Sequence, residues 1–128
     1  MRNSLPDIHL AAVCAVLLMS PSLGAADPPG ILNHQGRIAV SDVNHDGPGF
    51  FKFSLVKDVG GTESILWHHD GTATTESLPA GELNVSVSKG HYAVLLGDTG
   101  AGMTAIPPSV FGDNEDVSLR IWFSTTSG

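Results

Sequence analysis

The chain has 128 residues, of which 41% are hydrophobic and only 15% charged, and its thirteen acids against six bases give a formal net charge of −7 with histidines neutral. Such a surface repels phosphate backbones, and no basic cluster interrupts it, so nucleic acid is excluded as an expected partner. A single cysteine, Cys14, excludes an intrachain disulfide framework, and the length leaves room for one small domain.

Residues 1–26 read as a secretory signal. Arg2 supplies a positive start, residues 10–19 (LAAVCAVLLM) form an apolar core, and Ser20-Pro21 breaks it before the small residues Gly24, Ala25 and Ala26. The run is too short to span a bilayer, which takes about 20 residues. Cleavage is expected after Ala26, with Gly24 and Ala25 as neighbouring alternatives, which places the mature chain in the periplasm, on the cell surface or outside the cell. Asp7 is unusual in a leader. Cys14 lies in mid-run behind Val13 and does not suit a lipid-bearing cleavage site, so the mature chain keeps no thiol and must be stabilised by its core.

Beyond the Pro/Gly linker 27–30, short runs rich in Val, Ile, Phe and Trp alternate with Gly, Asp, Asn and Ser. This pattern predicts strands at 32–40, 50–57, 64–68, 82–88, 91–96 and 117–123, and no long helix. In the second strand Phe51, Phe53 and Leu55 are expected to point inward, with Lys52, Ser54 and Lys57 toward water or an edge. Leu83, Val85 and Val87 alternate with Asn84, Ser86 and Ser88, and Val117, Leu119, Ile121 and Phe123 alternate with Ser118, Arg120 and Trp122, so each strand has one buried and one wet face. Lys89-Gly90 has the length and composition of a tight hairpin link, so 82–88 is expected to pair with 91–96. Residues 106–111 (IPPSVF) are expected to make one helical turn that plugs an open end of the sheets with Val110 and Phe111. Six to seven short antiparallel strands with apolar faces predict an all-β domain, an antiparallel β-sandwich over 31–123.

The last strand runs into residues 124–128 (STTSG), which have turn composition, and no partner strand follows. An uncovered edge is an aggregation hazard, so the chain is expected to be a fragment of a longer reading frame.

The stretches ILNHQGRIAV, GPGFFKFSLV, SKGHYAVLLGD and MTAIPPSVFGDNEDVSLRIWF together resemble the N-terminal β-domain of large, poorly characterised exported proteins of Gram-negative environmental bacteria. Asn33, Gln35, Gly36, Arg37 and Ile38 match the usual opening, and His34 stands where those relatives carry tyrosine. The resemblance covers most of 31–123. It implies a secreted or surface-displayed β-domain and brings no catalytic residue with it.

Several short motifs invite chemistry. Asp42, Asn44 and Asp46, followed by Gly47, have the alternate oxygen ligands of the first half of a calcium loop, although Phe53 stands where the closing carboxylate belongs. The competing reading is a polar hairpin turn. Asp98-Thr99-Gly100 has the spelling of an aspartic protease loop, which in one copy would need a homodimer. Ser86 and Lys89 have the serine–lysine spacing of penicillin-recognising enzymes, but on a strand they face opposite sides. His68-His69-Asp70, with His34, His45 or His91, could ligate zinc or copper, yet adjacent strand residues diverge, and surface histidines are the default expectation. Asn84-Val85-Ser86 is a glycosylation sequon on the polar face. Trp67 and Trp122 are expected to pack rather than to stack on a sugar.

The resulting expectation is a noncatalytic exported module for adhesion, display or assembly, contacting another protein through an exposed edge strand. The alternatives are a small calcium- or carbohydrate-binding module and, third, a dimeric aspartic protease using Asp98.

Overall fold

The computed structural model describes residues 30–128; the expected signal over 1–26, with Cys14, and residues 27–29 of the expected linker lie outside the described residues. Eight antiparallel strands follow in order: β1 (Leu32–Arg37), β2 (Ala39–Val40), β3 (Val43–Asn44), β4 (Gly47–Val59), β5 (Thr62–His68), β6 (Leu83–Val87), β7 (His91–Leu96) and β8 (Ser118–Ser124). The domain is all-β, as its alternation and turn chemistry predict. The expected first strand is divided into β1 and β2, and the Asp/Asn-rich stretch contributes the two-residue β3, which raises the strand number to eight. Among the described residues, no helix is long and apolar enough to cross a membrane.

Three two-residue turns set the hairpins. Ser41 and Asp42 have φ of 51° and 65°, Gly60 and Gly61 have 60° and 84°, and Lys89 and Gly90 have 51° and 84°. Positive φ at both central positions fits the right-handed twist of the flanking strands. Glycine adopts it freely, whereas Ser41, Asp42 and Lys89 occupy it against a side-chain penalty.

Strand β4 organises the molecule. β8 pairs with it over Phe50–Val56, β6 over Gly47–Phe51 and β5 over Ser54–Val59. A strand has two edges and β8 overlaps both other partners, so β6 and β5 lie end to end along the edge opposite β8. A bulge between Leu55 and Val56 lets Leu66 slip out of register. Strand β7 pairs with β1 in a separate two-stranded ribbon, Leu32 opposite Leu96 and Gly36 opposite Tyr92.

The ribbon covers one face of the β4 sheet. Phe51, Phe53 and Leu55 from β4, Val87 from β6, and Tyr92, Val94 and Leu96 from β7 form the buried cluster, closed by Trp67, Met103, Ile106 and Val110. Phe51 and Phe53 stack at 5.5 Å, and Phe51 meets Tyr92 at 4.6 Å and Phe123 at 5.1 Å. Each fully buried aromatic contributes about 1.5–3 kcal/mol of transfer free energy. Gly36 lies under the Tyr92 ring, so any β-carbon there would collide with it.

Three expectations about orientation are corrected. Ile121, expected on the buried face of the last strand, is 37% exposed. Ser54 is completely buried, because the opposite face of β4 is also covered at that point. In the helical turn α1 (Ser109–Gly112), Val110 is buried in the core but Phe111 is 44% exposed, so only Val110 acts as a plug.

Candidate functional site

The histidine pair leads into a hydrogen-bonded polar network. His68 and His69 are 1% and 3% exposed, which overturns their expected surface position. His68 ends β5 opposite Ser54. Its Nε2 donates to the Glu76 carbonyl at 3.0 Å, because a carbonyl can only accept, and in the neutral ring Nδ1 then accepts from Ser54 Oγ at 2.6 Å. His69 turns the other way. Its Nδ1 accepts the Phe53 N–H at 3.3 Å, its own N–H donates to the Phe53 carbonyl, and its ring stands edge-on to Phe53. The two rings thus serve opposite faces of β4, as alternation requires. Burial lowers the affinity of His69 for a proton, partly offset by the neighbouring Asp70 carboxylate.

Asp70 ties down the following loop. Its carboxylate accepts from the Thr72 N–H at 3.0 Å, the Thr72 hydroxyl at 2.8 Å and the Gly81 N–H at 2.7 Å. Burial pushes its pKa upward, but these three donors outweigh it and hold the group at about 2. Loop 71–81 is thereby folded back so that Glu76 reaches His68.

The other candidates also take part in local structure. Asn44 Oδ1 accepts two bonds from the Arg37 guanidinium, at 3.1 and 2.8 Å, and Asp46 Oδ1 accepts the Lys89 N–H at 3.1 Å. Asp42 occupies the left-handed turn between β2 and β3. A cation on these three oxygens would have to displace a guanidinium and a turn amide. No cluster of three or more His, Cys, Asp or Glu with metal-binding geometry occurs among the described residues. Asp98 caps a short 3-10 turn (Thr99–Ala101) by accepting the Gly100 N–H at 3.0 Å. Ser86 lies on β6 and Lys89 in the left-handed turn beyond it.

His34 on β1 packs inward against the aromatic core. Its Nε2 lies 2.9 Å from the Tyr92 hydroxyl, and its ring contacts both Phe53 and Tyr92. Burial lowers its affinity for a proton and raises the pKa of Tyr92. Trp67 is buried and donates to the Thr104 carbonyl at 3.2 Å. Trp122 lies on the outer face of β8 with the Arg120 guanidinium 5.9 Å above its ring, and Arg120 also pairs with Glu63 at 3.0 Å.

The expected pairing of 82–88 with 91–96 is corrected: β6 and β7 diverge just beyond their turn, because β4 takes β6 and β1 takes β7. Their turn is closed by reciprocal bonds between Ser88 and His91 at 2.9 Å, and this is the one bridge between the two strands. Beyond it β6 stays with β4 while β7 goes to β1. A cavity of about 370 Å³ opens between them, lined by Leu83, Asn84, Val85, Ser86, Val94 and Met103 among others, with Asp98 at its margin. No sequence signal marks this splay, because the Lys89-Gly90 turn is that of an ordinary hairpin. Comparison with protein-family models, curated proteins and solved structures finds no match for the chain.

Proposed function

We propose that this chain is a noncatalytic, exported β-domain that acts by contact, as a structural or interaction module of a surface or extracellular protein in adhesion, display or assembly. In this reading the leader directs export, and the domain is the counterpart of the N-terminal β-domains of exported Gram-negative proteins that its sequence resembles. The acidic net charge of −7 favours basic or neutral protein surfaces over nucleic acid.

The observation that carries the reading is the combination of open strand edges with exposed apolar side chains. Val40 and Val43, at the tip of the β2–β3 hairpin, are 43% and 68% exposed, and Leu95 on β7 is 48% exposed. Meanwhile the polar side chains that chemistry would need, at His68, His69, Asp70 and Asp98, are occupied in holding turns and strands together.

Photo-crosslinkers placed singly at Val43, Leu95, Ile121 and Phe111 in the native host, with intact mass measured on the recovered protein, test this. A processed N-terminus at residue 27 and a discrete protein adduct from at least one position are expected. An unprocessed chain in the cytoplasm, or no adduct from any position, would contradict the proposal.

A further inference from the structure

The cleft between β6 and β7 has the chemistry of a strand-binding site. In an antiparallel ladder, the residues whose N–H and C=O point toward one neighbour alternate with those pointing away. Ile38 donates to the Gly90 carbonyl in the register that pairs β1 with β7, so Tyr92, Val94 and Leu96 direct their backbone groups to β1. His91 bonds to Ser88 on the other side, and Ala93 and Leu95 share its direction. On β6, Val87, Val85 and Leu83 face β4, whereas Ser88 turns away from it, and Ser86 and Asn84 share the orientation of Ser88.

Continued as an ordinary hairpin, the ladder would next join Ser86 with Ala93 and then Asn84 with Leu95. Neither rung forms. The Leu95 carbonyl accepts the Asp98 N–H at 3.3 Å. With no ladder joining β6 to β7 beyond the Ser88–His91 bridge, the N–H and C=O of Asn84, Ser86 and Ala93, and the N–H of Leu95, point toward the cleft between the two strands. The floor below them is apolar, formed by Leu83, Val85, Val94 and Met103. A second cavity, of about 380 Å³, shares Ser86 and Ala93 with the first and extends the opening along β7 to Gln35 and His91. Asp98 brings a carboxylate to the Met103 end, and the one ion pair among the described residues lies elsewhere, at Arg120 and Glu63.

Resting on the contact reading above, we infer that this cleft takes an extended segment of a second polypeptide, which hydrogen-bonds to the outward backbone groups of β6 and β7. Unpaired edge groups at strand spacing recognise a backbone, and the apolar floor selects alternating apolar side chains. The uncompensated Asp98 carboxylate, on a chain of net charge −7, selects a segment with lysine or arginine at that end.

The probe is a capped Lys-Thr-Val-Thr-Val-Thr-Val peptide titrated into the full mature chain, with amide hydrogen exchange as the readout. Amides of Asn84, Ser86 and Ala93 should slow at least tenfold. Ala93→Pro and Ser86→Pro remove donors aimed at the cleft and no ladder bond, so each should weaken the peptide at least tenfold. Asp98→Asn should weaken it about threefold at low salt, and leave unchanged a control peptide in which threonine replaces the lysine. Exchange of Val94 in the free variants reports whether the ribbon stays folded.

Peptide protection confined to another edge, such as Leu119 and Ile121 of β8, would overturn the cleft assignment while leaving the contact reading intact. An absence of peptide protection together with an absence of crosslinked adducts would remove both. Concentration-dependent dimerisation that protects the same amides without peptide would give the cleft to a second copy of this chain and overturn the assignment to a different partner.

Discussion

The two neighbours that share one edge of β4 treat polar groups in opposite ways. Along β5, every polar side chain that enters the interior finds a partner: Ser54 with His68, His68 with Glu76, His69 with Phe53, and Asp70 with Thr72 and Gly81. No buried side-chain nitrogen or oxygen is left without a partner among the described residues. Along β6, the outer backbone groups face a cleft instead. Low dielectric makes an unpaired buried polar group expensive, so the β5 side can stay closed only if its network is complete. The β6 side avoids that cost by keeping its groups next to solvent, which leaves them free to bind. Titratable residues, which look like chemistry in the sequence, stabilise the closed side; plain strand residues such as Ser86 and Ala93 form the open one.

The largest effect should come from the core that both sides share. Phe53→Ala removes a fully buried ring that packs on Phe51, His34 and His69, and should cost about 3–5 kcal/mol in denaturant unfolding. Ser54→Ala leaves His68 Nδ1 buried without a donor and should cost about 1–3 kcal/mol, and a double-mutant cycle with His68→Phe should show coupling. If Ser54→Ala is neutral, the closed side is not held as described.

Acid should loosen the fold in two stages. His34 and His69 have lowered pKa values in the folded state, so the unfolded chain binds more protons, and stability falls as pH drops below about 6.5. Asp70 has a depressed pKa of about 2, and its contribution is present above its unfolded value and lost as pH falls through the range from about 4 to 2. Melting curves across this range should show both stages, and Asp70→Asn should flatten the lower one. The smallest effect is expected on the open side: Ser86→Ala should change stability by less than about 0.5 kcal/mol, as befits an exposed side chain. A larger loss would mean that the cleft is packed shut.

The fold was legible where residues speak locally. Alternation in β6, the inward row of Phe51, Phe53 and Leu55, and the Lys89-Gly90 turn all lie in short windows, and local patterning reads them directly. Gly60-Gly61 is an equally local turn signal. The burial of Ser54 and His68 is not legible locally, because it depends on distant partners; Glu76, which completes the network, lies across a loop. The cleft was invisible for a related reason. Whether two hairpin strands continue to pair depends on what else competes for them, here β4 for β6 and β1 for β7, and a local window holds no record of that competition.

The most direct test of the central contrast is residue-resolved amide exchange of the free protein. Protection should alternate along both strands beside the cleft: Tyr92, Val94 and Leu96 slow with Ala93 fast, and Val85 and Val87 slow with Asn84 and Ser86 fast, while His69 and Phe53 remain slow on the closed side. Uniform protection through 84–87 and 92–96 would show that β6 and β7 pair as an ordinary hairpin, and would contradict the open edge on which the account depends.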